Sequence, residues 1–191
     1  MRNNSPPFIP KRPVGIIPWQ TFGSDRATYE KWVSHICGIC CVGMVAAHYT
    51  RQLPSLWELT QWAIKLGVFR ENPNGEIEGA FHNPLVSLAQ ELGLEGKVER
   101  QLDESILRYN LGHERFTLLS IDLQKIQQQL MGSHLILIHS VQAGEEIFQF
   151  HDCAHVVTKN GENGSISFAE LERVSNHKGI TLWAPPKTTE G

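Results

Sequence analysis

"HLILIHSVQAGEEIFQFHD" fills residues 134–152. From His134 to Val141 the chain is an almost unbroken apolar run. From Glu146 to Asp152 it alternates, setting Ile147, Gln149 and His151 against Phe148, Phe150 and Asp152. "AGE" at 143–145 lies between them. Two such runs around a short glycine-containing turn predict an antiparallel hairpin. The turn brings the start of one strand beside the end of the other, so His134 and Asp152 become neighbours although 18 residues (152 − 134) separate them.

Strands surround this hairpin. "RFTLLSI" (115–121) precedes it, and "SIS", the helical turn "FAELERV" and the strand "GITLWAP" follow. Upstream the period changes to that of helices. From Gly38 to Tyr49 small and apolar residues dominate, and a helix starting near Cys37 would be apolar almost all round, hence buried. "PSLWELTQWAIKLG" starts at Pro54 and Ser55 and stops at Gly67, with Leu56, Leu59, Ala63 and Leu66 on one face. "NPLVSLAQELG" repeats the plan, with Asn83 as cap, Pro84 in the first turn and Gly93 as stop. "DESILRYNLG" (103–112) is a shorter third helix. Helices first and antiparallel strands afterwards predict an α+β fold.

The chain of 191 residues suits one domain. With 41% hydrophobic and 19% charged residues it has an ordinary globular balance. A formal net charge of −3 gives no sign of a nucleic-acid partner. No apolar run approaches the roughly 20 residues of a membrane span. Prolines at 6, 7, 10, 13 and 18 break the N-terminus, which lacks the apolar core of a signal peptide. These features predict an extended arm over residues 1–18, a domain over 19–185 and a flexible tail over 186–191. The oligomeric state is left open.

Three of the four cysteines, Cys37, Cys40 and Cys41, stand within five positions; the fourth is Cys153. This is no disulfide framework, and reduced thiols suit the cytoplasm. A nucleophilic cysteine acts as thiolate, which a helix N-terminus favours through its unpaired N–H groups and dipole. Cys37 stands where the helix begins, and Gly38 lets a substrate backbone approach. Cys40 and Cys41 lie inside the apolar segment and read as core. A nucleophilic thiol needs a histidine base and an acceptor that orients it. His134 and Asp152 are the candidates. His35, His139, His151 and His155 are rivals, but His151 alternates to the face opposite Asp152.

Two other readings of the thiols stay open here. Cys37, Cys40, Cys153 and a histidine could hold zinc, since Cys-x-x-Cys is ligand spacing. A structural zinc site usually has two paired knuckles, whereas Cys153 stands alone. A Cys37/Cys40 redox pair lacks the thioredoxin-like order of strand, motif and helix. The expected site therefore uses neither metal nor cofactor.

"CGICCVGMVAAHY" resembles the Cys-Gly-x-x-x-x-x-Met motif of papain-like cysteine peptidases of the bacteriocin-processing type, and especially their stand-alone, C39-like members. The family continues with a His-bearing strand, a turn, and a strand ending in Asp-Pro; this chain has "GSHLILIHSVQAGEEIFQFHDC". "GAFHNPLVSLAQELGL", "FTLLSID" and "GITLW" also resemble the family, so the likeness runs from about Gln20 to Trp183. The resemblance implies a papain-like fold and cleavage of a peptide or protein substrate through a thioester. It implies Cys37 as nucleophile, His134 as general base and acid, Asp152 as orienting carboxylate and Gln20 as oxyanion donor. Two features depart from the pattern. Gln20 stands 17 residues (37 − 20) before Cys37, farther than the family's compact arrangement, and Cys153 replaces the usual proline. The same residues would serve an acyl or peptidyl transferase. A non-catalytic peptide-binding module of this fold is a further alternative, which the intact Cys, His and Asp count against.

Overall fold

A computed structural model describes residues 5–12, 18–51, 53–141 and 146–186. The "AGE" turn and residues 187–191 of the expected tail lie outside the described residues, as do 1–4 and 13–17 of the expected arm.

The chain opens with two short helices, α1 (Pro18–Phe22) and α2 (Arg26–Trp32). The Asp25 carboxylate caps α2 by accepting from the Thr28 N–H. Helix α3 (Cys37–Thr50) follows, with every residue from Cys37 to Ala46 buried. Helix α4 (Leu56–Lys65) starts with a capping box between Ser55 and Glu58. A small hairpin, β1 (Phe69–Glu71) with β2 (Ile77–Gly79), leads to α5 (His82–Glu91). Its cap is extended Phe81, not Asn83 as the sequence suggested. The Phe81 carbonyl already accepts from the Leu85 N–H, which puts Asn83 inside the first turn. Pro84 is tolerated there because first-turn N–H groups have no helical partner.

Next come β3 (Glu95–Glu99), α6 (Glu104–Gly112), β4 (Phe116–Asp122), the single turn α7 (Leu123–Ile126) and β5 (Ser133–Val141). The chain ends with β6 (Ile147–His151), β7 (Gly164–Ser167), α8 (Phe168–Val174) and β8 (Ser175–Trp183). Six strands form one antiparallel sheet in the order β3-β8-β4-β5-β6-β7. The α+β reading holds, and the sheet takes one strand from ahead of the predicted boundary near residue 115 between helices and strands. Strand β3 crosses it to pair with β8 at the sheet edge. Its sequence, "EGKVE", is mostly polar and shows no strand run.

The sheet is covered on both sides, which explains its unbroken apolar strands. Leu118, Leu135, Leu137, Ile180 and Leu182 face α3, α4 and α5 in one core. The alternate residues Leu119, Ile121, Ile136 and Ile138 face a second core with Leu107 of α6 and Leu171 and Val174 of α8. Burying each such side chain is worth roughly 1.5–3 kcal/mol. Helix α3, apolar all round, occupies the middle of the first core. This fixes its N-terminus against the start of β5. A Cβ on Gly38 would lie 2.8 Å from Leu85 Cδ1, 3.1 Å from Leu135 Cδ1 and 3.3 Å from Ala80 Cβ. Only glycine lets the first turn of α3 lie this close to β5 and α5.

Candidate active site

Cys37 is the first residue of α3. No side chain caps this helix, so its first-turn N–H groups remain available to a negative charge. Cys37 is 9% exposed, whereas Cys40, Cys41 and Cys153 are fully buried. All four thiols are free.

His134 is 4% exposed near the start of β5, and Asp152 is fully buried just beyond the end of β6. His134 Nε2 lies 2.7 Å from Asp152 Oδ1. The hairpin register pairs Leu137 with His151 and Ile138 with Phe150, with a bulge between Ile138 and Ser140. His134 therefore lies beyond the last rung of the ladder, and its side chain reaches Asp152 across the open end. The carboxylate has two further donors. Oδ1 accepts from the Ala154 N–H at 3.0 Å and Oδ2 from the Val157 N–H at 2.7 Å. Both come from the loop after β6. That loop closes through an Asp152 N–H bond to the Gly161 carbonyl at 2.6 Å.

Burial opposes a proton on His134, but the hydrogen bond to Asp152 and the adjacent Cys37 side chain outweigh it and lift His134 to about 10. Burial likewise opposes charge on Asp152, yet His134 and the Val157 and Ala154 N–H groups hold it below the usual carboxylate range. The pair is thus an imidazolium–carboxylate ion pair at neutral pH. Because Nε2 is taken by Asp152, Nδ1 is the ring nitrogen left for Cys37. An acidic group, a buried imidazole and a sulfur at a helix N-terminus are the parts required for nucleophilic acyl chemistry.

The structure thus brings together three of the four residues singled out in the sequence. Gln20 sits on α1 with its side chain exposed and makes no side-chain hydrogen bond among the described residues. Two of the rival histidines, His151 and His139, are engaged elsewhere. His151 donates from Nε2 to the Pro6 carbonyl at 2.9 Å and accepts at Nδ1 from the Asn163 N–H at 3.1 Å. His139 packs on the His151 ring, with centroids 4.3 Å apart. His139 lines a different region of the sheet. There a cavity of about 490 Å³, lined by Ser5, Arg108, Arg115, His139 and Asn163 among others, shares no residue with Cys37, His134 and Asp152. Among the described residues no group of three or more His, Cys, Asp or Glu side chains is arranged to hold a metal ion.

Two structural partners escaped the sequence reading. The Ala154 and Val157 N–H groups that hold Asp152 leave no mark in residue type. Segment 5–12 also bonds to the residue after Asp152. The Lys11 N–H donates to the Cys153 carbonyl at 3.1 Å, and the Tyr29 hydroxyl donates to the Lys11 carbonyl at 3.1 Å.

No protein-family model matches the sequence, and no curated protein matches it. Solved structures do. The peptidase domain of Streptococcus ComA, a bifunctional ABC transporter of a quorum-sensing pathway, superposes with a TM-score of 0.57 at 17% identity. The match covers 80% of this chain and 93% of that one. A C39-like peptidase from Bacillus anthracis gives a TM-score of 0.55 at 9% identity, covering 78% and 88%. The fold is that of the C39 peptidase domains. At these identities the C39 likeness concerns the path of the chain, and the chemistry rests on the residues above. Among the described residues, no single helix is long and apolar enough to cross a membrane.

Proposed function

We propose that this protein is a cysteine peptidase or amidase that cleaves a peptide amide through Cys37, His134 and Asp152. The observation that carries the reading is the buried His134–Asp152 ion pair beside a cysteine at an uncapped helix N-terminus. The C39 peptidase fold supports a peptide as the substrate class.

Cys37, as thiolate against the His134 imidazolium, adds to the amide carbonyl. Negative charge then develops on the carbonyl oxygen, and the free N–H groups at the start of α3 are the natural donors to it. Gln20 is proposed as a second donor. His134 delivers its proton to the leaving amine, while Asp152 keeps the ring in one orientation and stabilises its charged form. Water, deprotonated by His134, then hydrolyses the thioester. An amine taking the place of water would make the same site a transferase. Four free thiols fit a reducing compartment, and the cytoplasm is proposed as the location.

Limiting iodoacetamide followed by peptide mapping tests this reading. Cys37 is expected to be alkylated first, and Cys37→Ala to abolish both the labelling and the cleavage of any accepted peptide. First reaction at Cys40, Cys41 or Cys153 in the folded protein would show that the nucleophile is misassigned.

A further inference from the structure

Asp152 meets His134 from a position beyond both ladders of β6. The β5–β6 ladder ends with Leu137 opposite His151, and the β6–β7 ladder ends with Phe150 opposite Gly164. The residues on either side of Asp152 are gripped instead by the N-terminal segment 5–12. His151 Nε2 donates to the Pro6 carbonyl at 2.9 Å, and the Lys11 N–H donates to the Cys153 carbonyl at 3.1 Å. Between these two anchors in sequence stands Phe8. Its ring centroid is 5.4 Å from that of His151 and, edge to face, 5.9 Å from that of His155.

His155 belongs to the loop that holds the carboxylate. It has a φ of +57° and stands between Ala154 and Val157, whose N–H groups donate to Asp152. Its Nδ1 donates to the Lys159 carbonyl at 3.0 Å, which closes the loop on itself. His151 and Cys153 are fully buried, so the ring N–H of one and the carbonyl of the other need partners inside the protein. Segment 5–12 supplies both. Pro6, Pro7 and Pro10 suit it to that task. Proline fixes its own φ and drives the residue before it to extended backbone, so the segment has few conformations to lose on docking. The Lys11 end is held from the helical side, where the Tyr29 hydroxyl of α2 donates to the Lys11 carbonyl at 3.1 Å. Tyr29 shares its core with Cys37. The segment therefore ties the helices that carry Cys37 to the loop that holds Asp152.

We propose that segment 5–12 is a positioning element of the active site, in which Phe8 and the Lys11 main chain hold the loop that aims Asp152 at His134. This rests on the reading of Cys37, His134 and Asp152 given above. The segment acts through Asp152. Without its grip the loop gains freedom, the carboxylate spends part of its time away from His134 Nε2, and the imidazolium loses the partner that stabilises its proton. The Cys37 thiolate then loses its counter-charge. A purely structural role predicts a different result. The segment would add stability to the fold, and loosening it would lower the unfolding midpoint without changing His134 in the molecules that remain folded.

The test is the titration of the His134 ring in the whole chain, followed by NMR of the imidazole nitrogens from neutral to alkaline pH, well below each protein's melting temperature. The wild-type midpoint is expected at about 10. Phe8→Ala, which takes the ring away from His151 and His155, should lower that midpoint by at least about one pH unit. It should also slow iodoacetamide alkylation of Cys37 at neutral pH by about threefold or more. Tyr29→Phe keeps the ring that packs on Phe22 and deletes the bond to the Lys11 carbonyl. It should move both readouts in the same direction, and it decides the matter if Phe8→Ala folds poorly. Leu107→Ala is the control, because Leu107 belongs to the second core; it should lose stability and leave the His134 midpoint in place. A midpoint that stays at the wild-type value in the Phe8 and Tyr29 variants, or that falls as far in Leu107→Ala, would overturn the proposal. Wild-type Cys37 left untouched by iodoacetamide would overturn the functional reading and this proposal together. A reactive Cys37 with His134 unmoved in the variants overturns the positioning role alone.

Discussion

Replacing Asp152 by asparagine tests the ion pair at the centre of the site. The side chain stays nearly isosteric, so the effect reports charge and hydrogen bonding. The substituted amide would keep one oxygen for His134 and the Ala154 N–H but turn its own N–H groups toward the Val157 N–H, which now donates to Oδ2 at 2.7 Å. Two donors would then face each other in a buried place, at a cost of about 1–3 kcal/mol. The larger loss is electrostatic. His134 is raised from 6.5 to about 10 in the folded chain. This raised group stabilises the fold fully below 6.5, and its contribution disappears as pH climbs toward about 10. Near pH 7 the whole linkage is worth about 4 kcal/mol; Asp152→Asn removes the part carried by the Asp152 hydrogen bond and leaves that of Cys37 and Cys153. Asp152 is shifted the other way, so its contribution is present above its ordinary 3.8 and is lost as pH falls through its lower folded value. The stability gap between wild type and Asp152→Asn should therefore be widest between 3.8 and 6.5 and shrink steadily toward about 10. Urea unfolding of both proteins across that range measures it. A gap that is flat from pH 6.5 to 10, or smaller than about 1 kcal/mol at its widest, would refute a charged His134–Asp152 pair.

Three further outcomes are expected. Gln20→Ala should lower turnover of an accepted peptide by roughly 10²-fold with little change in substrate binding, and its exposed position means that the urea midpoint should not move; near-normal turnover would mean that another donor serves the oxyanion. Gly161→Ala should destabilise the chain by about 1–3 kcal/mol and slow alkylation of Cys37, because Gly161 has a φ of +67° and a Cβ there would lie 2.5 Å from the Asp152 carbonyl oxygen. If stability falls but labelling is unaffected, the loop does not govern the orientation of Asp152. Prolonged exposure to a chelator should leave the melting temperature unchanged, and stoichiometric zinc lost together with the fold would favour the ligand reading of the cysteines.

The sequence alone determined the features that depend on local pattern. The uniform apolarity from Cys37 onward marks a buried helix, and the paired runs around residues 143–145 mark antiparallel strands, because side-chain periodicity is set by backbone geometry whatever the partner. Cys37, His134 and Asp152 could be named as candidates for the same reason: residue type at a helix start and at hairpin ends carries the information. Other features were fixed only when distant segments met. "EGKVE" became the strand β3 because the edge of β8 offered it main-chain partners, which do not depend on its side chains. The N-cap of α5 moved to Phe81 because the hairpin β1–β2 delivers the chain in extended conformation before Asn83 is reached. The approach of Cys37 to His134 required α3 to pack in the core and β5 to lie against its first turn, with Gly38 permitting the contact. The grip on Asp152 comes from the Ala154 and Val157 N–H groups. Every residue except proline carries an N–H, so only the path of the folded loop decides which of them reach the carboxylate.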